Sequence, residues 1–225
     1  MFLHGFKSDK SGTKAAHLDA WCAKHNVGFT CFDLFGHGES SGAFTDGSIG
    51  RWIEDTLFVL DHLTKGPQIL IGSSLGGWLM LHAAMKRTER IQAILGIAAA
   101  PDFTERLIWD ALKPEEKKQI MEKGSYDLAE NCNDTQSPGY TITRRLIEEA
   151  RNHLLLDRAS IPITCPARFI HGMEDKDVPY HYSTMLAERL QSEDVRVTLA
   201  KKGDHRMSSL DMLELLETTL SDMLK

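Results

Sequence analysis

A glycine-rich turn near the middle of the sequence could hold a nucleophile. Residues 72–76 read Gly-Ser-Ser-Leu-Gly, which fits the pattern G-x-S-x-G with Ser74 at its centre. In this pattern a strand turns sharply into a helix, and larger side chains at the two glycine positions would collide. The turn forces the central serine into a strained backbone conformation that exposes its hydroxyl. Ser73 does not fit, because Ile71 and Leu75 would occupy its glycine positions.

A serine nucleophile needs a base that takes its proton. We expect His205 to be that base, because it lies in the segment KKGDHRM between the last predicted strand and the last predicted helix. His4, His37 and His171 each precede a glycine at a strand-to-loop turn, and we interpret them as structural. Five other histidines lie in predicted helical segments: His17, His25, His62, His82 and His153.

A carboxylate must orient the base, and the sequence offers three candidates. Asp175 is preferred, because it follows a predicted strand in HGMEDKDVP and lies three residues after Gly172. In folds that carry this kind of turn, the three catalytic residues follow along the chain in the order serine, acid, histidine, and Ser74, Asp175 and His205 have that order. Asp177 could instead form a turn or cap a helix before Pro179. Asp102 is the competitor, because a carboxylate at the end of a neighbouring strand could also reach the histidine.

Backbone amides would stabilise the negative charge that develops on the substrate oxygen. One expected donor is the amide of Leu75, which begins a helix. The other is the amide of Phe6 in the first strand–helix loop, HGFKSDKSG. This chemistry requires no metal and no organic cofactor, so we expect neither. Candidate residues for the wall of an acyl pocket are Phe6, Trp78, Phe103, Leu107 and Trp109.

Apolar runs that alternate with helical patterns predict an α/β fold with a doubly wound, mostly parallel sheet. The predicted strands are residues 1–3, 27–32, 68–71, 91–98, 167–171 and 195–199. The predicted helices are about residues 13–24, 49–63, 75–86, 180–190 and 207–224, with Ser48 as the N-cap of the second. Residues 102–160 interrupt the alternation with two or three helices and a polar loop. We predict that they form a small helical lid on a single domain of residues 1–225.

Composition and charge argue against several kinds of partner. The net charge of −6 and the scattered basic residues give no reason to expect nucleic acid. No apolar run approaches the roughly 18 residues of a membrane helix, so we expect no integral membrane segment. The four cysteines have no zinc-binding spacing, and Cys31 and Cys165 lie in apolar runs that favour buried free thiols. We therefore expect a cytoplasmic protein, with the mitochondrial matrix as the alternative.

These residues resemble the α/β-hydrolase family. The resemblance is carried by GPQILIGSSLGGWLMLHAA, CPARFIHGMEDKDVP and GDHRM, with GTKA and FDLFGHGESSG near the start. It is closest to mitochondrial members that remove acyl groups from protein cysteines and hydrolyse acyl glucuronides, and it is weakest over residues 102–160. It implies the nucleophile at Ser74, the acid at Asp175 and the base at His205. The family's N-terminal strands do not precede the first strand of this sequence.

The predicted activity is hydrolysis of carboxylic esters or thioesters by a serine enzyme that forms an acyl-enzyme. Its substrate would be a small-molecule or lipid-like acyl ester or thioester. A serine peptidase and an acyltransferase are the alternatives on the same fold, and a non-catalytic binding module is the alternative outside enzymes. A dehalogenase or an epoxide hydrolase is disfavoured, because those enzymes have an aspartate where Ser74 stands.

Overall fold

Five parallel strands form the central sheet. The computed structural model describes residues 1–128 and 139–224. In chain order its strands are β1 Phe2–Leu3, β2 Gln68–Ser73, β3 Ile91–Ile97, β4 Ser125–Leu128, β5 Tyr140–Thr143, β6 Ala167–Gly172 and β7 Val195–Ala200. The sheet order is β1-β2-β3-β6-β7, and every neighbouring pair is parallel. All five strands therefore end at the same edge of the sheet.

Helices cover both faces of this sheet. They are α1 Thr13–Lys24, α2 Ile49–His62, α3 Leu75–Lys86, α4 Pro114–Lys123, α5 Arg144–Ala150, α6 His181–Arg189 and α7 Leu210–Met223. Successive strand residues point to opposite faces. Leu70, Ile94 and Phe169 pack in the core beneath α2, α3 and α6, whereas their neighbours Ile71, Leu95 and Ile170 pack in the core beneath α1 and α7. Burial on both faces explains why these strands read as continuous apolar runs.

The predicted elements are mostly confirmed, with one strand that is wrong. Residues 27–32 form no strand, and their contact with β1 is limited to one isolated bridge from Cys31 to Phe2 and one hydrogen bond from the Phe2 amide to the Thr30 carbonyl, 2.8 Å long. Both residues of β1 pair with β2, and a strand this short leaves room for no more than a single bridge on its other edge. The predicted cap of α2 is confirmed, since the hydroxyl of Ser48 accepts from the amide of Arg51 at 3.3 Å.

The segment between β3 and β6 contains more structure than the sequence predicted. It has a π-helical turn at Thr104–Trp109, then α4, an antiparallel hairpin of β4 and β5, and α5. Most of the predicted polar loop lies outside the described residues, as does Cys132. Cys22, Cys31 and Cys165 are free thiols, and the last two are half-buried and not buried as predicted.

Asp102 ties the two ends of this inserted segment together. Its side chain is fully buried, and its two carboxylate oxygens accept from the amides of Leu155 and Leu156 at 2.8 and 2.7 Å. Burial raises the pKa of Asp102, while these two amides oppose the shift.

Across the part of the chain that the structure describes, no helix is long and apolar enough to span a membrane.

Replacing Asp102 with alanine should destabilise the fold, because two buried amides would lose their acceptors. We expect the free energy of unfolding to fall by about 2–4 kcal/mol, since each stranded donor costs about 1–3 kcal/mol. Urea denaturation measures the change. Asp110→Ala is the matched control at an exposed site and should stay within about 0.5 kcal/mol of wild type. Equal stability of the two variants would contradict this role of Asp102.

Candidate active site

Ser74 lies on a strained turn between β2 and α3. It has a positive φ of 52°, a conformation that non-glycine residues rarely adopt. A Cβ on Gly72 would lie 2.4 Å from the carbonyl oxygen of Gly76, and a Cβ on Gly76 would lie 2.1 Å from the carbonyl oxygen of Leu3. Both glycines of the pattern are therefore required by backbone contacts, as the sequence predicted.

The structure brings the three predicted triad residues together. The Nε2 atom of His205 lies 3.1 Å from Oγ of Ser74, and its Nδ1 atom lies 2.8 Å from Oδ2 of Asp175. The three residues follow β2, β6 and β7 at the shared edge of the sheet. Ser74 and His205 are 131 residues apart along the sequence, and Asp175 and His205 are 30 residues apart. The parallel topology of the sheet is what brings them together.

Asp175 is held as an anion. Burial alone would raise its pKa, but hydrogen bonds from His171 and His205, together with the charge of His205, hold the pKa of this carboxyl well below its usual range. Its Oδ1 also accepts from the amides of Asp177 and Val178 at 2.9 and 2.8 Å. A carboxylate can only accept, so Nδ1 of His205 carries the hydrogen and Nε2 is free to accept from the serine hydroxyl.

The other two acid candidates have different roles. Both carboxylate oxygens of Asp102 accept from the amides of Leu155 and Leu156, whereas the carboxylate next to His205 is that of Asp175, so the alternative that placed Asp102 next to the base is not supported. Asp177 is exposed. Among the described residues, Asp175, Asp177 and His205 are the one group close enough to hold a metal ion, with ligand atoms within 4.8 Å of one another. Within this group, Nδ1 of His205 and Oδ2 of Asp175 are hydrogen-bonded to each other.

The two residues predicted to supply amide donors lie near Ser74: Leu75 follows it in the chain, and Phe6 lines the same cavity. The amide of Leu75 is the first of α3, so it has no acceptor within the helix. The loop that carries Phe6 passes close to the serine, since a Cβ on Gly5 would lie 3.4 Å from Cβ of Ser74. Two backbone donors aimed at one substrate oxygen stabilise the oxyanion of acyl transfer, and the assignment of this role to Phe6 and Leu75 stays a prediction.

Comparison with known proteins identifies the family. A model of the alpha/beta hydrolase fold matches residues 1–131. The palmitoyl-protein thioesterase ABHD10, mitochondrial, of Rattus norvegicus is 42% identical over 224 residues, which cover 100% of this chain and 74% of the relative. The chain belongs to the α/β-hydrolase family. The resemblance noted in the sequence is thereby confirmed, as are the predicted fold and the predicted class of enzyme, a hydrolase.

Solved structures agree with this family. Alpha/beta hydrolase domain-containing protein 10 from mouse has a TM-score of 0.90 and 41% identity, and the match covers 99% of this chain and 88% of that one. A putative hydrolase from Agrobacterium vitis S4 has a TM-score of 0.93 and 36% identity, and the match covers 100% of this chain and 87% of that one.

The thioesterase of Rattus norvegicus is named as a mitochondrial protein. This contradicts the expected cytoplasmic location and favours the mitochondrial alternative.

A cavity of about 410 Å³ opens beside Ser74 and His205. The cations along its wall are Lys7, Lys14 and Arg206. The ammonium of Lys14 donates to the carbonyl of Arg206 at 2.5 Å and to the hydroxyl of Ser208 at 3.4 Å, so it holds the loop that carries His205. Burial lowers the pKa of Lys14 to about 8. No pattern in the sequence marks this lysine.

Aromatic side chains surround the ring of Phe6. Its ring contacts those of Phe44, Trp52, Phe103 and Tyr140, with centroid distances of 4.9, 5.9, 5.3 and 5.4 Å. Of the other predicted wall residues, Trp78 is fully buried and contacts Phe103, and Leu107 packs on the core. Trp109 lies under the cationic ends of Lys117 and Arg151 instead.

Two of the histidines interpreted as structural match that interpretation. The ring of His4 is buried and joins two loops, with Nδ1 2.8 Å from the Gly5 carbonyl and Nε2 accepting from the Leu34 amide at 3.2 Å. His37 is also buried, and burial lowers its pKa to about 4. His171 is different, because its Nε2 lies 3.0 Å from Oδ2 of Asp175. This contact with the acid was not predicted from the sequence.

The turn predicts a sharp contrast between two glycine substitutions. Gly76→Ala should lower the free energy of unfolding by about 3 kcal/mol or more, because its Cβ overlaps a backbone oxygen that cannot move freely. Gly28→Ala is the matched control, since nothing lies within 4 Å of its Cβ position. It should change stability by no more than about 1 kcal/mol. Thermal and urea unfolding measure both, and a tolerated Gly76→Ala would contradict the close approach.

Proposed function

We propose that this chain is a serine hydrolase that cleaves carboxylic esters or thioesters through an acyl-enzyme on Ser74. The observation that carries the proposal is the hydrogen-bonded series from Ser74 through His205 to Asp175. In this series the base can accept the serine proton, and the buried carboxylate stabilises the imidazolium that results. Asp175 stays ionised throughout, because its pKa lies far below neutral pH.

The first half of the reaction forms the acyl-enzyme. The hydroxyl oxygen of Ser74 attacks the acyl carbonyl carbon while its proton moves to Nε2 of His205. The amides of Phe6 and Leu75 donate to the carbonyl oxygen, which becomes negatively charged. The bond from carbon to the leaving oxygen or sulfur then breaks, and His205 returns its proton to the departing alcohol or thiol.

The second half releases the acid. A water molecule takes the place of the leaving group, gives one proton to His205 and attacks the ester carbonyl of the acylated serine. The new oxyanion is held by the same two amides. The bond to the serine oxygen then breaks, His205 protonates that oxygen, and the carboxylic acid leaves with the free enzyme restored.

The acyl chain and the leaving group of the substrate would occupy different surroundings near Ser74. We place the acyl chain against the aromatic side chains around Phe6, with residues 102–128 and 139–160 as the lid that covers it. The polar leaving group lies in the cavity lined by Lys7, Lys14 and Arg206. The relatives named as palmitoyl-protein thioesterases favour a long-chain thioester of a protein cysteine as the substrate and the mitochondrial matrix as the location.

Removal of the nucleophile should abolish hydrolysis. Ser74→Ala is expected to lower kcat by about 10⁴-fold or more, because the covalent pathway is lost. The assay uses p-nitrophenyl esters and matched acyl thioesters from acetyl to palmitoyl. Ser73→Ala is the control, since it removes a buried neighbouring hydroxyl and should leave kcat within a few-fold of wild type. Activity retained by Ser74→Ala, or wild-type protein inert toward every substrate, would overturn the proposal.

A further inference from the structure

The carboxylate of Asp175 is shared between two imidazole rings. Its Oδ2 lies 2.8 Å from Nδ1 of His205 and 3.0 Å from Nε2 of His171. The first ring faces Ser74 and the second faces away from it, toward the interior. The other oxygen of Asp175 accepts from two backbone amides. His171 therefore contacts the same atom that orients the base.

The surroundings of His171 determine which nitrogen donates to Asp175. Its Nε2 lies 3.0 Å from both Oδ2 of Asp175 and the carbonyl oxygen of Val178. Both of these atoms can only accept, so Nε2 must carry a hydrogen. On the other side of the ring, Nδ1 lies 2.8 Å from the hydroxyl of Ser183. A hydroxyl can donate or accept, so it completes the hydrogen bonding of the ring.

The side chain of His171 is enclosed by protein and hydrogen-bonded at both ring nitrogens. His171 lies at the end of β6. Neither its side chain nor that of Asp175 is exposed to solvent. Ser183 belongs to α6 and is also fully buried. A continuous series of hydrogen bonds thus runs from α6 through Ser183, His171, Asp175 and His205 to the nucleophile.

We propose that His171 is a positioning residue for the reaction: it fixes the carboxylate of Asp175 and shares the charge of Oδ2 with His205. The role rests on the proposed function, because it acts through the acid and the base assigned there. A carboxylate oxygen that accepts from two N–H groups binds each of them less strongly than it would bind one alone. His171 thereby limits how strongly Asp175 stabilises the imidazolium that forms when His205 takes the serine proton.

Among the described residues, few charged groups lie near the contact between His171 and Asp175. The loop after β7 presents His205, and the loop after β6 presents the carboxylate of Asp177, which has an oxygen within 4.8 Å of the ligand atoms of Asp175 and His205. From α6 the contact is the neutral hydroxyl of Ser183. Removal of the His171 donor should therefore act mainly on Asp175 and His205.

The hydrogen on His171 can be tested without any activity. Protein labelled with nitrogen-15 histidine is examined by proton–nitrogen NMR, and the signals of His171 are assigned by their loss in His171→Gln. We expect a slowly exchanging hydrogen on Nε2, because that atom is buried between two acceptors. A bare Nε2 in the wild-type protein would overturn the proposal, whether or not the protein hydrolyses the ester and thioester substrates.

The effect on catalysis is tested with His171→Leu and His171→Gln. The leucine variant removes the donor, so we expect kcat to fall by roughly 10- to 100-fold, the effect common for groups that orient catalytic ligands. KM should change little, and the acidic limb of the kcat/KM profile should move to higher pH. Glutamine keeps an N–H donor near the same place and should restore most of kcat and the wild-type profile.

His82→Leu is the matched control, because His82 is also buried and bonded to a backbone carbonyl, that of His153. It should lower stability without moving the pH profile. If His171→Leu does not fold, Ser183→Ala removes the next group in the series and should move the acidic limb in the same direction. A folded His171→Leu or Ser183→Ala with the wild-type kcat and profile would overturn the proposal, whereas an inert wild-type protein would instead reject the proposed function.

Discussion

The strained backbone at Ser74 is the constraint on which the site depends. Its positive φ is maintained by three backbone hydrogen bonds: the amide donates to Ile97 at 3.0 Å, and the carbonyl accepts from Gly77 and Ala100 at 2.9 and 3.1 Å. The turn also needs β1 to pass over Gly76 without a side chain in between. Strain of this kind persists only where the surrounding structure over-determines it, and here β1, β3 and α3 all contribute.

The parallel sheet converts distant sequence positions into one site. The loops that follow β1, β2, β6 and β7 carry Phe6, Ser74, Asp175 and His205 in turn. Because the strands share a direction, these loops meet at the same edge. The series of hydrogen bonds then extends inward to α6 through His171, so the base is oriented by a buried network and not by one exposed pair. Burial of Asp175 makes that network strong, since few water molecules compete for its oxygens.

Much of the site could be predicted from the sequence, because its rules are local. The two glycines around Ser74, the loop positions of Asp175 and His205, and the Ser48 cap all follow from short-range geometry. The strand expected at residues 27–32 is absent, since its length depended on an edge that β1 does not supply. The role of Asp102 and the contact of His171 with Asp175 needed partners from separate elements, Leu155 and α6, which no local pattern indicates. The hairpin of β4 and β5 is likewise set by tertiary packing.

The acyl-enzyme itself is the most direct test of this account. The protein is mixed with p-nitrophenyl butyrate, quenched in acid at short times and digested for peptide mass spectrometry. We predict a burst of p-nitrophenol before steady turnover and a butyryl group on Ser74, absent when His205 is replaced by alanine. Steady hydrolysis with no adduct on Ser74, or with the acyl group on another side chain, would contradict the account.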